Sequence, residues 1–454
     1  MRKRKEGKEN TYSMTEGKLF PSFIVFLLPL IAAGFLQQSY SFVDGLILGN
    51  FINQNALGAV GSVGAIIDAG SLVQIALGSG CAIMVSHLHG AQKTEEVNRL
   101  IKNMRRLLTG ISCILALAGI LLADSFLMLL HTPENLTRGA ALYMRICFLG
   151  IPFVSLYNLQ AGILRGMGDS RHPLGGIAVS SVVNIGLDII FVVIMRMGIA
   201  GAATATVAAE ILSAVYLYYK LEQRRKDPAW DAGREVSNSK NDKANVAESI
   251  KLGAPQLVQS LATSGGMIML QNVINMLGAV VVVGVVATFK IDSVLIAPLL
   301  GLGTAVSVFT GQNIGAGNHA RVKASLRCGL ITGFSISLLL TLILWGFGYP
   351  LFGLFGLEED AAEYGYRYLT ICLPFYWMFG MQFVLHGFLN GAKHTVITSF
   401  ASVVGLALRI VFVYMGYRHF GGDILPVAEI ASWTTCLVID AIYIARLALS
   451  KKAI

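Results

Sequence analysis

The chain has 454 residues, is 55% hydrophobic and 13% charged, and carries a formal net charge of +9. Soluble globular chains carry about 25% charged residues, so the composition speaks against a soluble domain, and the placement of the basic residues speaks against nucleic acid as a partner. Apolar runs of roughly 20 residues recur throughout, each long enough to cross about 30 Å of hydrocarbon as a helix.

Twelve such spans are predicted, at residues 20–48, 56–84, 102–123, 139–164, 174–195, 199–219, 250–276, 280–309, 327–347, 365–390, 395–416 and 427–448. The expected fold is an all-α membrane protein with twelve transmembrane helices. The first span holds Pro29, Gln37, Tyr40 and Asp44, the aspartate fifteen residues after the proline. A carboxylate in hydrocarbon is costly and marks an ion or substrate path. Pro29 leaves one backbone carbonyl without its helical partner and provides a bending point, a hinge. Asp68 lies in the second span. The fifth carries Asn184 and Asp188, spaced i, i+4 and so on one side of the helix, and the sixth carries Ala202 and Thr206 at the same spacing. With span directions taken from alternation, Asp44, Asp188 and Thr206 come to a common depth, roughly 10 Å below the outer interface at 1.5 Å per residue. Two carboxylates at one site titrate as a coupled pair. Glu210 lies toward the inner half of the sixth span.

The seventh span contains no acid but does contain Gln256, Gln259, Gln271, Asn272 and Asn275. Lys290 and Asp292 in the eighth read as a structural ion pair. In the tenth, the aromatic run that includes Tyr376 reads either as a wall for a cationic substrate or as packing. His386 reads as a hydrogen-bonded core histidine in preference to a proton relay. Arg409 and Asp440, in the last two spans, and Asp68 either line a cavity or pin helices. The six cysteines lie in or near apolar spans and show no C-x-x-C spacing, so neither a disulfide framework nor a metal site is expected.

Of the 35 Lys and Arg, 28 fall in the N-terminus, the C-terminus and alternate loops, around 85–106, 165–173, 220–251, 311–327 and 391–394. The opposite loops hold only Arg138, Arg196 and Arg418. This asymmetry predicts both termini in the cytoplasm and an even number of spans. The basic start leads into a span too long for the apolar region of a signal peptide, so no cleavable signal is expected.

The chain also repeats itself. Gly-Ala-Gln-Lys at 90–93 and Gly-Ala-Gly-Asn at 315–318 are 225 residues apart, and the same offset joins Tyr143 to Tyr368, Cys147 to Cys372, Gly162 to Gly387 and Gly166 to Gly391. An offset of 226 joins Pro29 to Pro255. A constant offset across several helices marks a duplication. Each copy has six spans, so the copies share one orientation, a parallel internal repeat with a cavity expected between two lobes. The domains read as an N-lobe at 1–223, a polar cytoplasmic linker at 224–245 and a C-lobe at 246–454.

Pro29 with Asp44-Gly45, Gly90-Ala91, the run Leu164–Asp169, Pro255 and the run Gly311–Gly317 together resemble the multidrug and toxic compound extrusion (MATE) family. The resemblance covers nearly the whole chain. It implies a V-shaped pair of six-helix lobes that alternate access and export organic, mainly cationic, compounds in exchange for H+ or Na+. It implies a multi-pass protein of a bacterial inner or plasma membrane, working as a monomer in the lipid bilayer, with small organic molecules as its partners. No cofactor is implied, and no metal beyond Na+. One branch of the family uses acids in helices 7 and 10, which this chain lacks. The DinF-type branch uses an N-lobe cluster, and the matching positions here are Asp44, Asn184, Asp188 and Thr206. The substrate cavity is expected to involve Gln37, Tyr40, Ala202, Gln256, Gln259, Tyr376 and His386. A flippase of lipid-linked precursors from the same superfamily is the alternative; the scarcity of intramembrane Lys and Arg speaks against it. No nucleophile elbow, phosphate loop or metal motif points to an enzyme.

The charge asymmetry makes a direct prediction. Single cysteines placed in 224–245 should react with an impermeant thiol reagent only from the cytoplasmic side, and cysteines near Asn53 or Glu359 only from outside. The opposite labelling pattern would invert the topology.

Overall fold

The computed structural model describes residues 14–51, 54–129, 133–226, 240–353 and 357–449. Fourteen α-helices take up nearly all of this length, and no strand occurs among the described residues. In hydrocarbon every backbone N–H and C=O needs a partner within the chain, and a helix supplies it segment by segment. The first half contains α1 (Leu19–Phe51), α2 (Gln54–Gly90), α3 (Thr94–Leu121), the short α4 (Ala123–Leu129), α5 (Glu134–Gly166), α6 (Arg171–Asp188) and α7 (Gly198–Arg225). The second contains α8 (Lys240–Met276), α9 (Ala279–Gly315), α10 (His319–Gly353), α11 (Glu359–Cys372), α12 (Tyr376–Gly391), α13 (Thr395–Phe420) and α14 (Ile424–Leu449).

With α3–α4 and α11–α12 each taken as one crossing, all twelve expected spans coincide with helical chain. Among the described residues, ten stretches are long and apolar enough to cross a membrane; the last, Thr395–Leu449, takes in both α13 and α14. Helix α8, which carries the five carboxamides, is not among the ten. Pro374 breaks the tenth crossing into α11 and α12 through a single 3-10 turn, Leu373–Phe375.

The helices form two lobes. In the first, α5 packs on α2, α3 and α7, and α6 packs on α7; in the second, α9 packs on α10, α11 and α12, and α13 packs on α14. The duplication persists to single hydrogen bonds. Lys93 N donates to Leu88 O as Asn318 N does to Asn313 O, and Asp169 N donates to Leu164 O as His394 N does to Leu389 O. These bonds close the ends of α2, α9, α5 and α12, with Gln92, Gly317, Gly168 and Lys393 at positive φ. The helix crossings repeat as well. A Cβ on Gly162 would lie 3.1 Å from Gly78 O, and one on Gly387 would lie 2.2 Å from Gly303 O. Small residues permit such backbone approach in lipid.

Helix α1 belongs to both lobes. Its first half is buried with Leu302, Val306 and Phe309 of α9, and the Phe23 and Phe309 rings stand 5.2 Å apart, edge to face. Farther along, Ile47 packs with Val192 and with Ala202 of α7. Pro29 lies in the half held by the second lobe; Asp44 lies in the half held by the first.

At the basic end of the bundle, where the described chain begins and ends, the lobes are tied together. Helix α8 begins at Lys240, so the last residues of the expected polar linker are helical rather than flexible; 227–239 lie outside the described residues. Two contacts to α3 anchor this first turn: Asp242 pairs with Arg99 at 3.1 Å, and Asn245 Nδ2 donates to buried Glu96 at 2.9 Å.

Asp169 caps α6. Its Oδ1 accepts from the backbone N–H groups of Arg171 and His172, both at 3.1 Å, and its Oδ2 receives Arg224 Nη1 at 2.9 Å. Burial works against the charge, but the hydrogen bond from His172 and the Arg224 guanidinium outweigh it and hold the carboxyl below the ordinary aspartate range. A depressed carboxyl pKa contributes stability at neutral pH that is lost as pH falls through the folded-state value. Asp169→Asn should therefore lower stability at pH 7 by about 1.5–3 kcal/mol, the scale of a hydrogen bond to a charged group. The gap to wild type should close below about pH 4. Thermal unfolding of the purified protein in detergent across pH checks both.

Candidate functional site

The N-lobe site is built on α6 and α7. Asn184 and Asp188 stand one turn apart on α6, and both are fully buried. Asn184 Nδ2 donates to Thr206 Oγ1 at 3.3 Å, and Thr206 Oγ1 in turn donates to Ala202 O at 3.1 Å. Asn184 Oδ1 has no hydrogen-bond partner among the described residues. The α-helical winding of α6 ends at Asp188, and a π-helical turn, Ile189–Ile194, follows at once. Such single-turn π segments occur often at functional sites. Helix α1 packs along α6, with Gln37 exposed and Tyr40 half-buried. Asp44 lies within α1, but its side chain falls outside the described residues. The structure thus brings together Asn184, Asp188, Thr206 and Ala202, the last fully packed at 1% exposure. Glu210 stands one turn past Thr206 on α7 and packs against α5, where a Cβ on Gly150 would lie 2.5 Å from its Oε2.

The second lobe holds a different kind of polar group. The Tyr376 hydroxyl donates to Asp292, and the Tyr368 hydroxyl donates to Glu429. Arg409 Nη2 meets the same Glu429 carboxylate at 3.1 Å. His386 Nε2 lies 2.9 Å from Asp440 Oδ2, and Asp440 is fully buried. This corrects the expected Lys290–Asp292 pair. Residues two apart on a helix point to different sides; Lys290 is exposed, while Asp292 turns inward to Tyr376. Tyr376 is 4% exposed and stands edge to face with Trp433, so it serves the C-lobe core rather than a cavity wall. Gln259 is bound to α13 through Ser402 at 2.9 Å and Ser399 at 3.2 Å, whereas Gln256 Nε2 has no hydrogen-bond partner among the described residues.

The family model MatE matches the chain twice, over residues 29–190 and 255–415. The chain belongs to the MatE family. The two matches begin at Pro29 and Pro255, the prolines related by the internal repeat. A probable multidrug resistance protein of Bacillus subtilis, YpnP, is 33% identical over 84% of each chain. A protein of Shewanella oneidensis named an FAD transporter is 25% identical over 78% of this chain and 77% of its own. Among solved structures, an outward-facing MATE transporter of the MOP superfamily superposes with a TM-score of 0.88 at 19% identity, covering 99% of this chain and 100% of its own. A MOP superfamily transporter from Pyrococcus furiosus does so with a TM-score of 0.85 at 20% identity, over 98% and 99%.

Within this MatE chain the two lobes differ in charge balance. Glu429, which sequence reasoning passed over, meets a cation in Arg409. The available signal was an acid and a base in adjacent antiparallel spans, twenty residues apart. No Lys or Arg lies in α6, beyond its first residue, or in α7 until its last turns.

If Tyr376 is a core residue, Tyr376→Phe removes the hydroxyl that Asp292 depends on. The loss should be about 1–3 kcal/mol of stability, the cost of stranding a buried polar group. A clear drop in the unfolding temperature of the purified variant is the expected result.

Proposed function

We propose that the protein is a secondary active antiporter that exports small organic, mainly cationic, compounds in exchange for H+ or Na+, with coupling in the N-lobe. The observation that carries this reading is the pair of fully buried polar side chains, Asn184 and Asp188, at the start of a π turn, with Asn184 bound to Thr206. A carboxylate within a membrane span marks a site for a proton or a small hard cation. Its oxygen donors, the Asp188 carboxylate, Asn184 Oδ1 and Thr206 Oγ1, are of the kind that Na+ takes as readily as a carboxylate takes H+. The family resemblance adds Asp44, which lies on the half of α1 packed against this lobe. Cation release there changes what α1 is held by on one side while α9 still holds it on the other. That is a route from an ion site to lobe movement through the Pro29 hinge. Names of relatives such as YpnP support multidrug export. The protein works in the plasma membrane with both termini on the cytoplasmic side, as a monomer.

The test is transport in proteoliposomes, with a cationic dye such as ethidium and with proton and sodium gradients imposed separately. Asp188→Asn and Asp44→Asn keep side-chain volume and remove the titratable group. Each should reduce gradient-driven export by at least tenfold while leaving dye binding detectable. Wild-type export rates from both variants would remove these residues from the mechanism.

A further inference from the structure

At the basic end, the last turns of α2 and α9 cross so closely that backbone meets backbone. A Cβ on Gly90 would lie 2.0 Å from Gln312 O, and one on Gly315 would lie 2.1 Å from His87 O. From this crossing one side chain reaches each way into the opposite lobe. His87 Nε2 lies 2.7 Å from Gly391 O at the end of α12. Gln312 Nε2 donates to Gly166 O at the end of α5, at 2.8 Å. His87 and Gln312 are 225 residues apart, and so are Gly166 and Gly391. The two hydrogen bonds are one bond made twice, once in each direction across the lobe boundary.

The chemistry suits a closure that must also release. Carbonyls in the last turn of a helix have no intrahelical partner, so each is a ready acceptor. Gly166 and Gly391 present theirs without a side chain in the way. A neutral N–H to carbonyl bond is modest in strength but costly to strand inside protein. Both arms therefore favour closed lobes, and neither survives separation of the two helix ends. The Gln312 arm is also covered by the segment before α1. Met14 is buried, its carbonyl accepts from Asn313 and Arg321, and its Cε lies 3.4 Å from the position of a Cβ on Gly168.

We propose that His87 and Gln312 form a two-armed latch that holds the lobes together at the basic end, and that this end opens only when both arms let go. The latch rests on the geometry alone; its place in a transport cycle rests on the alternating-access reading.

The experiment measures distances and needs neither substrate nor ion gradient, so a failure of coupling at Asp44 and Asp188 leaves it readable. Spin labels are placed at exposed positions, Lys102→Cys on α3 and Lys323→Cys on α10, with Cys113 replaced by serine because the other five cysteines are buried. Distances across the basic end are then recorded in nanodiscs. His87→Ala and Gln312→Ala should each raise the population with a longer distance about fivefold, and the double variant should raise it about twenty-five-fold, the expectation for two independent hydrogen bonds. The exchange variants His87→Gln and Gln312→His each keep an N–H donor in the same place and should stay closed. The proposal is overturned if the alanine variants keep the wild-type distances. It is equally overturned if the exchange variants open as far as the alanine variants, because the effect would then be one of packing. Should the double alanine variant fail to purify, the single and exchange variants carry the same comparison.

Discussion

The structure depends on backbone-to-backbone contact between helices in a medium that offers no hydrophobic drive to bring them together. Lipid tails are as apolar as leucine, so helices associate by close packing and by hydrogen bonds. Glycine allows the approach. Gly162 against Gly78 fastens α5 to α2, Gly387 against Gly303 fastens α12 to α9, and Gly90 and Gly315 fasten one lobe to the other. The first two contacts build the lobes. The last two join the lobes at the basic end, and Gly80 against Gly253 joins α2 to α8 farther along. Because duplicated residues make these contacts, the molecule carries the same joint in each half and a self-matching joint between them.

Helix α1 turns this frame into something that can respond. Its two halves are gripped by different lobes, through Phe23 and Phe26 on one side and Ile47 on the other. A long helix held at two points transmits any relative motion along its axis, and Pro29 weakens it between its ends. The polar cluster of α6 and α7 lies beside the half that the N-lobe grips. The proposed ion site and a movement of the lobes would therefore act on the same element.

The two lobes handle buried polarity in opposite ways. In the second lobe Glu429 has Arg409 and Tyr368, Asp292 has Tyr376, and Asp440 has His386. Removing one member of such a pair leaves an uncompensated group and is strongly destabilising, so these residues read as structure. In the first lobe Asn184 donates to the Thr206 hydroxyl, and neither α6 beyond its first residue nor α7 before its last turns carries an Arg or Lys.

Much of this is legible in the chain itself. Hydrocarbon thickness fixes the length of each span, so twelve spans and their spacing follow from runs of apolar residues. The duplication follows from a constant offset, because an equivalent residue must stand at an equivalent place in each copy. Asn184, Asp188 and Thr206 stand out because polar side chains in such spans are expensive, and the i, i+4 spacing of Asn184 and Asp188 places those two on one face of α6. Partners across helices are different, because they depend on rotation and tilt that no single span encodes. Lys290 and Asp292 are close in sequence yet diverge, while Asp292 and Tyr376 are 84 residues apart and meet. The polar stretch 224–245 looks like a flexible linker until Arg99 and Glu96 of α3 bind Asp242 and Asn245 in the first turns of α8. The winding change after Asp188 and the twin bonds of His87 and Gln312 likewise exist only where helices from distant parts of the chain come to lie against one another. Side-chain chemistry and periodicity are local properties and can be read from the sequence; which group finds which partner is set by packing and can be read only from the tertiary structure.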